Sequence, residues 1–298
     1  MPAMQRLTRA QIDNQRWDQC VQTAAVDLPY ALTWFLDAVA ADWDGLIFGD
    51  YELVFPLVWE RKWGVRRIYQ PYFCQQLGFF GCREPTDTEK EQLKRELKTF
   101  WYVDMHLHYR TSWQLPEISF RTNLILPLNA DYADIFEDFS RDLRKCIRAA
   151  ARHGLSITVP ESPDEFLHYY LLFLDREKFR VNTHHEESIR KLVWAAHRAG
   201  ASLFRLVHHP DQGIVFCQFM VMYKKRMLNL MAEGTKEARG LRANHFVLNQ
   251  IIREYAGKGY VLDFEGSSIP AVADFFQRFN PQKQPFFRYH HSRIPFLK

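Results

Sequence analysis

The stretch from Ser202 to His291 constrains the fold most. Three runs, "SLFRLVHH", "IVFCQFMVMY" and "RMLNLMAE", are rich in residues that suit strands, and they are joined by "PDQG" and "KK". Strand-length runs with turn-length joints predict an antiparallel meander. A helical pattern follows over 242–256, then a short strand over 260–265 within "GYVLDFEGSS". A helix over 269–279 and a last strand, "PFFRYHH", complete the run. Ahead of the meander lie a strand, "FRTNLILPL" (120–128), and an amphipathic segment over 131–154. That segment reads as one helix with Ile135, Phe139, Leu143, Ile147 and Ala150 on one face and Gly154 as its stop. Helices over 163–176 and 186–199 follow it. The order is strand, helices, meander, helix, strand, helix, strand, which predicts an α/β (α+β) unit with a mixed sheet.

The first part of the chain has its own pattern. Helices are expected over 14–24 and 30–41, the second with Leu32, Phe35, Leu36 and Val39 as an apolar stripe. Apolar runs over 45–48 and 53–59 flank "GDYE" and predict a hairpin. "RRIYQPYF" is a further strand, a charged helix over 87–100 opens at Thr86 or Asp87, and "WYVDMHLHY" returns as a strand. The pattern restarts near residue 115, so two units are expected, 1–115 and 116–298. A chain of 298 residues with 47% hydrophobic and 15% aromatic content has the material for both cores. The net charge of +4 is too small to argue for nucleic acid, and no DNA partner is expected. The five cysteines include no CxxC pair, which fits reduced thiols. The polar N-terminal stretch has no apolar signal core, and no apolar run approaches the roughly 18 residues of a membrane span. The expectation is a soluble cytoplasmic protein.

Chemistry is concentrated in a few places. Side chains alternate along a strand, so Asp263 and Glu265 are expected on one face and Leu262 and Phe264 on the other. Paired carboxylates raise one another's pKa, and one of them can act as a general base. Glu265 is the candidate base, with Asp263 as its modulator or a substrate clamp. The alternative for Asp263 is a structural one: it caps a neighbouring loop or pairs with an arginine such as Arg205. In "YQPYFCQQLGFFG", amides beside aromatics suit a polar planar substrate, which makes Tyr72, Gln75 and Gln76 candidate substrate-binding residues. The alternative is a loop whose glutamines cap backbone groups. Cys74 lacks an activating His/Asp pattern and reads as a small apolar residue. The cations Arg141, Arg144, Lys145, Arg148 and Arg152 lie among acids and read as a solvated helix face. His106 and His108 have i, i+2 spacing, but no Cys or carboxylate completes a ligand set, and no metal is expected.

Two stretches, "MLNLMAEGTKEARGLRANHFVLNQIIREYAGKGYVLDFEGS" and "FRTNLILPL…LRKCIRAAARHGLSITV", resemble the C-terminal domain of the FemAB-like branch of the Gcn5-related N-acetyltransferases, GNAT for short. The element order resembles the same fold. The resemblance covers 120–298, and residues 1–115 would be a more degenerate first GNAT unit. It implies transfer of an acyl group to the amine of a small molecule or cell-envelope precursor, with acyl-CoA as donor. Aminoacyl-tRNA is the alternative donor, and a binding module without catalysis is the alternative role. The donor loop is "EGTKEARGLRAN", where Gly240 matches the first glycine of the GNAT phosphate loop. Glu237 and Arg242 depart from that pattern. Gly240 and Ala243 would permit close approach of a phosphate, and Arg239 and Arg242 would add charge-assisted bonds. In a tandem arrangement, Tyr72, Gln75 and Gln76 are expected to line one cleft with Glu265.

Overall fold

The computed structural model describes residues 4–62, 64–113, 116–176, 182–265 and 270–293. The chain divides into two compact units, Met1–Arg121 with Pro285–Lys298, and Thr122–Gln284. The second begins six residues after the expected start (122 against 116). The last strand, expected with the second unit, belongs largely to the first.

In the first unit, β1 (Gln5–Thr8), β2 (Trp43–Phe48), β3 (Leu53–Lys62) and β4 (Val65–Ile68) pair antiparallel in sequence order. The short β5 (Phe80–Gly81) also pairs with β3. β4 then runs parallel to β6 (Tyr102–Leu107), and α3 (Asp87–Leu97) lies between them in sequence. A parallel pair needs a long crossover, and α3 supplies it. Its start is fixed by a capping box: Thr86 Oγ1 accepts from the Glu89 N–H, and Glu89 returns a carboxylate to the Thr86 N–H. The last strand, β13 (Gln282–Ser292), lies antiparallel to β6. The earlier helices α1 (Asn14–Thr23) and α2 (Thr33–Val39) bury Trp17, Phe35 and Leu36. "RRIYQPYF" is a strand only as far as Ile68; Pro71 and the left-handed Phe73 (φ 65°) turn the chain away.

The second unit repeats the plan. β7 (Ile118–Leu128) lies antiparallel to β12 (Tyr260–Asp263), with Ile125–Leu128 opposite it, and β12 runs parallel to β11 (Arg226–Gly234). The meander continues through β10 (Gly213–Tyr223) and β9 (Ser202–His209) to a short edge strand, β8 (Ser156–Thr158). The crossover helix is α8 (Ala243–Tyr255). Its face of Val247, Leu248, Ile251 and Ile252 packs with Leu262, Phe264, Phe276 and Phe279 in one buried cluster. Phe264 stacks on Phe276 of α9 (Pro270–Gln277) at 4.5 Å.

The segment 131–154 is two α-helices rather than one, α4 (Tyr132–Asp138) and α5 (Arg141–Ala150), followed by a short turn of 3-10 helix. Ser140 makes the break: its Oγ accepts from the Leu143 N–H, and its own N–H donates to the Arg278 carbonyl. Both helices face the same core, so the apolar periodicity continues across the break. Gly154 stops the segment in the left-handed conformation at φ 65°. No helix among the described residues is long and apolar enough to cross a membrane.

Candidate functional site

The second unit opens where β11 and β12 part. They pair only from Arg226 opposite Val261 to Leu228 opposite Asp263. β12 ends there, and β11 continues to Gly234 with no partner on that side among the described residues. Gly234 is needed for packing: a Cβ there would stand 2.6 Å from the Phe216 ring and 2.8 Å from the Val215 carbonyl. The Thr235 N–H donates to that carbonyl and starts a 3-10 turn, Glu237–Arg239, leading to α8.

α8 begins in an unusual way. Its N-cap residue, Arg242, is left-handed (φ 58°, ψ 32°), and no side chain caps the helix. The first N–H groups of a helix have no intrahelical partner, and the dipole makes that end positive. A left-handed arginine is sterically costly, and such outliers cluster at functional sites. Beside this end lies a cavity of about 500 Å³. Arg239, Arg242 and Arg278 line it, with Asn244, His245, Phe275 and one carboxylate, Asp274. No ion pair joins the three arginines to a carboxylate among the described residues. Asn244 Oδ1 and His245 Nε2 are buried without a hydrogen-bond partner. Burial, with Arg242 and Arg278 adding repulsion, pushes the His245 pKa down to about 4, so the ring is neutral at pH 7. The arrangement suits an anion: an uncapped helix end, unpaired guanidinium groups and a neutral imidazole.

Of the four residues expected at a donor phosphate, Arg239 and Arg242 line this cavity. Gly240 does not, and its φ of −63° is ordinary helical geometry that any residue adopts. Ala243 is fully buried in the core beneath the helix start. The family resemblance pointed to a loop, whereas the cations come from two elements. Phe275, on α9, and Arg278, the residue just after it, had no local signal to mark them. His245 had one, its place in the first turn of the helix.

The carboxylate pair is resolved differently from the expectation. β12 ends at Asp263, and Glu265 is left-handed at φ 53°, so the two do not share a strand face. Asp263 is fully buried. Its Oδ1 accepts from Asn123 Nδ2 at 2.7 Å and from the Glu265 N–H at 3.1 Å, and its Oδ2 accepts from Arg226 Nη1 at 2.6 Å. Asp263 is therefore structural, with Arg226 rather than Arg205 as its ion-pair partner; Arg205 pairs with Glu254. A modulator or clamp needs a free face, and Asp263 has none. Glu265 retains partial exposure, and burial pushes its carboxyl up to about 8. It follows directly on the strand end where β11 and β12 separate. The "GSS" after it lies outside the described residues.

The glutamine loop belongs to the first unit. Gln76 is fully buried: its Oε1 accepts from the Tyr109 N–H at 3.0 Å and its Nε2 donates to Gln75 Oε1 at 2.7 Å. This corrects its assignment as a substrate-binding residue; it fastens the loop to the chain beyond β6. Leu77 adds two backbone bonds to the same strand region, with His106 and His108. The Gln75 carbonyl meets His106 Nδ1 at 3.2 Å, while Tyr72 is 41% exposed and packs edge-on to Phe73. Cys74 is buried and its thiol is pushed well above its usual range, so it is no nucleophile at neutral pH. On the basic helix face, Arg144 is held by Glu137, and Arg148 lies over the Phe136 ring.

No protein-family model and no curated protein sequence matches the chain. Solved structures do. FemX aligns over 97% of this chain and 98% of its own at a TM-score of 0.65 and 12% identity. A tandem GNAT protein from the clavulanic acid biosynthesis pathway aligns over 96% and 98% at 0.53 and 12%. L-PGS from Bacillus licheniformis aligns over 91% and 94% at 0.52 and 16%. The chain therefore has the FemAB-like, tandem-GNAT fold: mixed α/β, with mostly antiparallel sheets flanked by helices.

Proposed function

We propose that this protein is an N-acyltransferase that takes an acyl group from a phosphate-bearing donor, acyl-CoA, and passes it to an amine. The observation that carries the reading is the uncapped start of α8 beside Arg239, Arg242 and Arg278, at the place where β11 and β12 part. Donor phosphates sit at that helix end and on the guanidinium groups, and the free stretch of β11 offers backbone N–H groups to the donor carbonyl. The amine nitrogen attacks that carbonyl, the new C–N bond forms as the C–S bond breaks, and CoA leaves as a thiolate that takes up, by way of Glu265, the proton the amine gives up. Glu265 in its carboxylate form takes the proton from the attacking nitrogen. No covalent intermediate is involved. Aminoacyl-tRNA is the less favoured donor, because the basic helix face has part of its charge paired internally: Arg144 with Glu137, and Lys145 with Asp142 at 3.9 Å.

Calorimetry of the full chain with CoA, acetyl-CoA and deacylated tRNA tests this. CoA and acetyl-CoA should bind, and Arg239→Glu or Arg242→Glu should weaken both by about tenfold or more, the scale of a lost charge-assisted contact. Binding unaffected by either substitution sinks the placement. Absence of CoA binding with tight tRNA binding makes the donor an aminoacyl-tRNA, and absence of both supports a module without transfer activity.

A further inference from the structure

The second unit carries a hollow that the acyl-transfer reading does not use. It lies between α4, α5 and α8, has a volume of about 470 Å³, and has a mainly apolar wall that includes Phe136, Ile147 and Phe246. Phe246, Gln250 and Arg253 form one row along α8, because residues at i, i+4 and i+7 share a helix face. Beyond that row lies a second hollow, of about 400 Å³, with Ile157, Arg205 and Glu254 in its wall. The donor site at the first turn of α8 is separate: Asn244 and His245 line it and line neither of these hollows.

The charges around the hollows are unevenly matched. Among the described residues, Glu137 is the only acid lining the first hollow, and Arg144 pairs with it at 2.5 Å. Glu254, the acid of the second, is paired with Arg205 at 2.7 Å. Arg148 and Arg253 are exposed and have no carboxylate partner among the described residues. Ring contacts place their guanidinium groups instead. That of Arg253 stands 4.5 Å from the centre of the Tyr132 ring, and that of Arg148 stands 5.9 Å from the centre of Phe136. The two rings are 5.7 Å apart, and both line the first hollow. Two positive charges without a counter-ion therefore stand at the wall of a mostly apolar hollow. An apolar concave surface with a few placed polar groups is the usual form of a small-molecule site.

We propose that the first hollow binds a free medium-chain fatty acid. Its carboxylate meets Arg253, its chain lies along Phe246, Ile147 and Phe136, and Arg148 adds attraction for the anion at the rim. Each part of the ligand answers a feature of the wall: guanidinium groups without a counter-ion, and apolar surface left in contact with water. The volume is that of roughly fifteen waters, which holds a chain of about eight to ten carbons. An unactivated carboxylate is no acyl donor, so this site stands or falls apart from the transfer reading.

Calorimetry of the full chain with octanoate, 1-octanol and butyrate tests it. Octanoate should bind best. Octanol, which keeps the chain and loses the charge, should bind about tenfold more weakly, and butyrate, which keeps the charge and loses most of the chain, should be weaker by at least about tenfold. Arg253→Gln, at an exposed position, should keep its melting temperature, lose about tenfold in affinity for octanoate and bind octanol as the parent does. Ala133→Trp fills the hollow from an exposed position on α4, and it should keep its melting temperature and block octanoate. Equal binding of octanoate and octanol overturns the proposal, as does full octanoate affinity in Arg253→Gln or in Ala133→Trp. Lack of octanoate binding up to about 10 mM also overturns it. Co-sedimentation with phosphatidylglycerol vesicles separates a free acid from a membrane: capture by the vesicles without octanoate binding makes the face a membrane contact and overturns the fatty-acid site.

Discussion

Asp263→Asn should destabilise the second unit by about 3–5 kcal/mol, the range for breaking a buried ion pair by neutralising one partner. Asp263 and Arg226 have side chains 0% and 2% exposed, so solvent does not replace what is lost. Asn keeps the shape but has one acceptor oxygen where Asp has two. If that oxygen stays with Asn123 and the Glu265 N–H, the amide NH₂ faces the Arg226 guanidinium, donor against donor. If it turns to Arg226, the other two donors lose their partner. In both cases the buried Arg226 charge loses the Asp263 carboxylate, and this is the larger effect. For a domain of this size each kcal/mol moves the midpoint by about 2–4 °C, so the unit's transition should fall by about 6–20 °C. Calorimetric melts of the full chain, of Asp263→Asn, of Arg226→Met and of an Arg226→Met/Asp263→Leu double variant measure it. The double variant should regain most of the loss, because it removes both charges together. A loss below about 1 kcal/mol in Asp263→Asn would refute the argument that this pair anchors the end of β12.

Three further outcomes are expected. Transfer activity should rise as pH climbs through about 8, where Glu265 loses its proton, and Glu265→Gln should abolish that rise and slow transfer about 10²-fold. The folded pKa of Glu265 lies above its ordinary value of 4.5, so the folded state holds the proton more tightly and loses stability as pH rises from about 4.5 to about 8. Glu265→Gln should therefore melt higher than the parent at pH 8 and alike at pH 4; a lower melting temperature with full activity would make Glu265 a structural residue. Arg242→Gly removes a left-handed penalty of about 1–2 kcal/mol and adds a glycine entropy cost of about 0.5–1, so stability should hold or rise slightly while CoA affinity falls. Loss of both together would mean that Arg242 serves the fold. By NMR, the His245 ring should titrate near pH 4 in the free protein and at higher pH with CoA bound, because an anion offsets the repulsion from Arg242 and Arg278; an unmoved titration would place the phosphates elsewhere.

The sequence made the elements legible where local chemistry matched the global fold. The meander over 202–234, the helix beginning at Ala243 and the strand beginning at Tyr260 were all readable from period and turn residues. The break at Ser140 was not, because α4 and α5 bury one continuous apolar face and periodicity sees the face rather than the axis. The pairing of β13 with β6, and of β7 with β12, was hidden too, since sequence order predicts neighbours and both strands pair across long separations. At the site, Arg239 and Arg242 were legible through the loop resemblance. Arg278 was not, because it reaches the cavity from the turn after α9, which sequence alone does not fold back beside α8. Gln76 misled for the opposite reason: amides beside aromatics describe a substrate site and a fastened loop equally well, and only the Tyr109 N–H decides between them.

The two acids of "GYVLDFEGSS" take different roles because the backbone turns between them. Had the strand continued, Asp263 and Glu265 would have stood side by side, and two buried carboxylates would have repelled each other. Instead Asp263 accepts the Glu265 N–H, which supports the left-handed step at residue 265 and takes the second acid off the strand. The other two left-handed non-glycine residues described in the second unit have ordinary explanations: Lys224 lies in the hairpin turn between β10 and β11, and Asn280 follows α9, a position where Asn tolerates this conformation. Arg242 and Glu265 have no such excuse. One begins the helix after β11 and the other follows the end of β12, so local backbone rules are broken at both exits of the same parting pair of strands. Proteins break such rules at functional sites and compensate nearby. Here the Asp263–Arg226–Asn123 cluster is the compensation at β12, and it ties the most buried polar group of the unit to the position of the proposed base.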